Sequence, residues 1–83
     1  QFVINTSAGT YFQSYKTTVA FKPVGESYLV LDEDALNYSK TTSQYLHIFM
    51  RAMGPTYTSR DLQKSRNNPI KYPLEDIQWA NLN

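Results

Sequence analysis

Ser39, Thr41, Thr42 and Ser43 crowd four hydroxyls into a short stretch, and the single histidine, His47, follows four residues after Ser43. On a helix that spacing puts a nucleophile and a base on adjacent turns. A serine nucleophile also needs a group that orients its base, and donors for the oxyanion that develops. No Gly-x-Ser-x-Gly elbow accompanies these residues, so the sequence nominates no catalytic residue and the chain is expected to be non-enzymatic. With Lys40, the same hydroxyls stand at an expected helix start, where outward N–H groups attract an anion. Their simpler role is to fix a strand-to-helix turn by hydrogen bonding to the backbone.

Glu26, Asp32, Glu33 and Asp34 form an acidic group with no basic residue among them. Asp32 to Asp34 lack the alternating oxygen ligands and the glycine of an EF-hand loop. With no cysteine and one histidine, the sequence offers neither thiol chemistry nor a transition-metal cluster. No metal, cofactor or small-molecule substrate is expected. Arg51, Arg60, Lys64, Arg66 and Lys71 make a basic segment broken only by Asp61. Lys40, Arg60, Lys64, Arg66 and Lys71 are therefore the candidate anion or nucleic-acid contacts. Set against that use, the net charge is only +1, and nucleic-acid domains are usually far more basic.

The elements that would position these groups are legible in part. Phe2 to Ile4 is β-prone and closes on a turn-forming run, Asn5 to Gly9. From Tyr11 to Lys22 the residues alternate, which predicts one long strand with Tyr15, Val19 and Phe21 on one face and Lys16 and Lys22 on the other. Pro23 to Ser27 supplies a turn, and Tyr28 to Leu31 reads as the returning strand, apolar throughout. Thr41 with Gln44 fits a capping box, and Gly54-Pro55 is a helix stop. A helix is expected from Thr42 to Met53. At 100° per residue its apolar sector spreads to about 200°, leaving Gln44, His47 and Arg51 as a narrow polar stripe. One sheet cannot cover so wide a sector, so the C-terminal segment or another chain must supply a second cover. Thr58 to Arg66 predicts a turn or two of helix, and Pro73 a short C-terminal helix, with Trp79 anchoring the tail.

The fold expected is α+β: a small three-stranded antiparallel sheet packed by one main helix, with a short helical or irregular C-terminal tail. It forms a single domain over 1–83, with sheet and helix core in 1–53 and an ordered tail in 54–83. Its size leaves little spare core for a deep cavity. Seven Tyr, four Phe and one Trp in 83 residues supply rings for a core and equally for an interface. Tyr45, Ile48, Met50, Arg51, Tyr57 and Trp79 are the candidate protein contacts, since aromatics, Met and Arg favour interfaces. A protein partner or a second copy is expected first, nucleic acid second. No apolar run reaches the length of a membrane span, and no membrane partner is expected.

Ser14-Tyr15-Lys16-Thr17-Thr18-Val19-Ala20 and Tyr38-Ser39-Lys40-Thr41-Thr42-Ser43 resemble segments of small phage-encoded proteins of unassigned function. Those carry a Ser-Tyr-x-Thr-x-Val-Ala strand before a Tyr-Ser-x-Thr-Thr-Ser-x-His helix start. The likeness spans Thr10 to Phe49, and this chain has Tyr45 where the pattern has His. It implies a phage or prophage origin and a setting in the cytoplasm of an infected cell or in the virion. It brings no chemistry of its own.

Overall fold

The computed structural model describes residues 1–83 as β1 (Phe2–Asn5), β2 (Gly9–Ser14), β3 (Thr17–Pro23), β4 (Leu29–Asp32), α1 (Lys40–Met53), α2 (Ser59–Asn67) and β5 (Ile77–Ala80). The strands form one sheet in the order β1-β2-β3-β4-β5. Neighbours from β1 to β4 are antiparallel, whereas β4 and β5 run parallel. A parallel pair needs a crossover, and α1 with α2 provides it. The expected three-stranded antiparallel sheet with one main helix is thus corrected to a five-stranded mixed sheet with two helices.

Two strands were hidden from the pattern. The single strand expected from Tyr11 to Lys22 is a hairpin, turning at Tyr15 and Lys16. Ser14 pairs with Thr17 and Gln13 with Thr18, but Tyr11 pairs with Phe21 because the register shifts beside Phe12. The turn exchanges odd and even faces, and the bulge at Val19 exchanges them back. Alternation therefore runs through the turn as if unbroken. Nor does the turn advertise itself with Gly or Asn: Tyr15 takes φ 57°, a left-handed conformation that costs a bulky residue about 1–2 kcal/mol. β5 was the second strand missed, where a short C-terminal helix was expected after Pro73.

Cross-strand partners share a face of the sheet, so two rows can be traced across it. Val3, Phe12, Ala20, Leu31 and Trp79 form one row, and Ile4, Tyr11, Phe21, Val30 and Gln78 the other. The first faces the helices. Phe12 stacks on Phe49 of α1, and the Trp79 indole N–H donates to the Ser65 hydroxyl of α2 at 3.3 Å. The core comprises 11 buried apolar residues, including Leu29, Leu31, Leu46, Met50, Leu62 and Ile77. Leu62 and Ile77 show that the segment after Met53 helps to build this core. The opposite row carries a stacked Tyr11–Phe21 pair at 4.3 Å.

Ser39, not Thr41, caps α1, and its hydroxyl accepts from the Thr42 N–H. The helix consequently starts at Lys40 rather than Thr42. Gly54 ends it at φ 126°, a backbone angle that only glycine takes freely, and buried Pro55 follows. Thr58 caps α2 in a reciprocal capping box with Asp61. That exchange of hydrogen bonds holds the Asp61 carboxyl below its ordinary pKa.

Candidate protein-docking groove

β1 occupies one edge of the sheet, and all four of its residues are exposed. α1 packs over β2 and β3 and turns Thr42, Leu46, Phe49 and Met50 into the core. Its remaining apolar side chains point along the sheet towards β1. Tyr45 is 46% and Ile48 60% exposed. Between helix and edge strand lies a groove of about 310 Å³. Phe2 and Val3 form one wall, Tyr45, Ile48, Ala52 and Met53 the other, and Phe12 and Phe49 the floor. Gln1 is the one lining residue that is not hydrophobic, and none carries a charged side chain.

The broad apolar sector expected of α1 is thus only partly covered by its own chain. The C-terminal segment covers the opposite half of the sheet, as the Trp79–Ser65 bond shows. Edge strands are usually blunted by lysine, proline or a bulge. β1 reads Phe-Val-Ile-Asn and has none of these. Alternate residues of such a strand direct N–H and C=O groups outward with no neighbouring strand to receive them.

Among the expected contacts, the structure brings Tyr45 and Ile48 together in this groove. It places Met50 in the core, 1% exposed, where it cannot meet a partner. Tyr57 is half-buried and donates its hydroxyl to the Asp76 carboxylate; this bond, with burial, raises the phenol to about 12. Trp79 fastens β5 to α2 and is half-buried. Arg51 is exposed and does not line the groove itself, but a shallow surface that it shares with Lys40, His47, Ser59 and the groove's Ile48. Phe2 and Val3, which complete the groove, were not nominated. An uncharged apolar run reads equally as a central strand, so only the strand order places them at an edge.

Two of the four hydroxyls, those of Ser39 and Thr42, have internal partners. Thr42, nearly buried, meets Ser14 Oγ at 3.0 Å and Ser39 Oγ at 3.0 Å. They tie the start of α1 to the end of β2. His47 bridges the two helices: its Nδ1 lies 2.8 Å from the Ser43 carbonyl oxygen and its Nε2 3.2 Å from Ser59 Oγ. A carbonyl can only accept, so Nδ1 carries a proton, and in the neutral ring Nε2 then accepts from the Ser59 hydroxyl. The hydroxyl that the histidine meets is that of Ser59, not of Ser43.

The basic segment divides. Arg66 donates through Nε to the Glu33 carbonyl at 2.7 Å and so fastens α2 to the loop after β4. The Lys64 and Lys71 ammonium groups stand 5.5 and 5.4 Å from the Tyr72 ring centroid. Arg60 is exposed on α2, and Lys40 lies apart at the start of α1.

Residues 1–66 match the family described as a family of unknown function (DUF8033). The chain belongs to DUF8033. No curated protein and no solved structure matches it. Every groove residue falls inside the DUF8033 match, whereas Lys71, Tyr72 and β5 follow it. No helix is long and apolar enough to cross a membrane.

Proposed function

We propose that this DUF8033 chain is a non-enzymatic binding module that engages protein through the groove between β1 and α1. The observation that carries this reading is the combination of an unprotected strand edge with a charge-free apolar wall beside it. An incoming strand gains main-chain hydrogen bonds from β1 and apolar contact from Tyr45 and Ile48, as in β-strand addition. The resemblance to phage proteins supports a phage or prophage setting, with a host factor or another component of a virion or accessory assembly as partner.

A second reading has its own support. Two lysines around an exposed tyrosine combine charge with a stacking surface, the features that bind single-stranded nucleic acid. Affinity capture with mass spectrometry, with and without nuclease, separates the two. For protein docking, retention survives nuclease and moderate salt, falls at least about 10-fold with Ile48→Asp or Tyr45→Asp, and is unchanged by Lys64→Ala with Lys71→Ala. Retention that nuclease abolishes, that falls steeply with salt and that needs the two lysines overturns docking in favour of nucleic acid. Circular dichroism on each variant confirms that the fold is kept.

A further inference from the structure

We infer that the occupant of the β1 edge is the β1 edge of a second copy, paired antiparallel about a two-fold axis normal to the sheet. This inference rests on the docking reading above and names its partner. Such an axis leaves each face of the sheet on its own side. Opposed residues in an antiparallel pair also share a face. Both conditions hold only when opposed residues are both odd or both even, so the axis must pass beside a residue that faces its own copy.

Four registers, one centred on each residue of β1, satisfy that rule, and the composition of the strand distinguishes them. Centred on Val3, the pairs are Val3 with Val3, Phe2 with Ile4 and Gln1 with Asn5. Apolar meets apolar, and amide meets amide. Centred on Ile4, Val3 faces Asn5; centred on Phe2, Val3 faces Gln1; centred on Asn5, Ile4 faces Thr6. Each of those sets an apolar side chain against a polar one. Gln1 to Thr6 also contains no charged side chain, so no like charges oppose one another across the axis. Val3 shares the face of Phe12, and joining the two copies at Val3 brings their grooves side by side into one trough. The two five-stranded sheets become continuous through the paired edges, and neither keeps an open β1.

The chain has no cysteine, which gives a clean test. Directly opposed residues in an antiparallel pair lie within disulfide range. Under mild oxidation the chain with Val3→Cys should cross-link to a covalent dimer at least about 10-fold faster than the chain with Asn5→Cys, whose thiols would stand four residues apart in the register. Light scattering on the unmodified chain should show mass rising from one copy to two with concentration, and Val3→Lys should hold it at one. A single-copy mass at every concentration, or equal cross-linking at both positions, overturns self-pairing. The docking reading survives that result if a different protein is still retained in an Ile48-dependent manner. Retention indifferent to Ile48 and Tyr45 removes both.

Discussion

Replacing Asp32 with Ala should lower stability by about 2–4 kcal/mol, a large share of the roughly 4–12 kcal/mol available to a domain of this length. Asp32 is 2% exposed and its carboxylate accepts four hydrogen bonds. Oδ1 receives the Leu82 N–H at 2.9 Å and the Asn83 side-chain amide at 3.2 Å. Oδ2 receives the Tyr38 hydroxyl at 2.8 Å and the Asp34 N–H at 3.1 Å. One side chain thereby joins the residues after β5 to the loop that leads into α1. Truncation orphans four donors at once, and burial denies part of them water.

The same site makes stability depend on acid. Burial opposes ionisation of Asp32, but the four donors together outweigh it and hold the carboxyl below its ordinary value of 3.8. A group with a depressed folded-state pKa contributes stability above its unfolded pKa and loses that contribution as pH falls through the folded value. Urea unfolding should therefore show a stability decline below about pH 4 that Asp32→Asn flattens. Asp32→Asn should still be destabilising at neutral pH, because its NH₂ group meets donors where the carboxylate accepted. Equal stability of Asp32→Asn and the parent at pH 7 would contradict the role assigned to Asp32. The Tyr38 phenol, half-buried and bonded to Asp32, titrates well above its usual range and stays neutral throughout.

Phe12→Ala should cost about 3–5 kcal/mol, the usual loss for a buried phenylalanine. Phe12 is central to the helix-facing row, between Val3 and Ala20, and its ring stacks on Phe49 at 5.5 Å. Because it also floors the groove, truncation opens a void that continues into the groove. Ile48→Asp, only a short distance above, should change stability by less than about 1 kcal/mol, since Ile48 is already exposed. Thermal or urea unfolding of the two variants separates support of the fold from service to a partner. A large loss on Ile48→Asp would show that Ile48 holds the domain together.

The sequence disclosed α1 and the excess width of its apolar sector, since periodicity over fourteen residues depends on local spacing alone. β4 was legible for a similar reason: Tyr28 to Leu31 is a short continuous apolar run that follows a turn signal. The β2–β3 turn stayed hidden because Tyr15 adopts a conformation its residue type disfavours, and the bulge at Val19 conceals the reversal. β5 was missed because its partner β4 is far away in sequence. Ile77 and Trp79, inward at alternate positions, were the available signal. Of the groove, the α1 wall could be read directly. The β1 wall depends on strand order, and nothing local to Phe2 or Val3 places them at an edge beside α1. Ser39 rather than Thr41 caps α1, and the Thr42 hydroxyl meets Ser14, a contact no local motif reveals.

Fragment-resolved hydrogen exchange tests most directly whether the groove between β1 and α1 is where protein docks. The chain is compared at dilution, where it is alone, with the chain saturated by the protein it binds, whether a second copy or a captured partner. Docking predicts slowed exchange in residues 1–5, as outward β1 amides gain acceptors, accompanied by slowing in 45–53 and none in 60–72. Protection confined to 60–72, with β1 exchanging as fast as before, would contradict it.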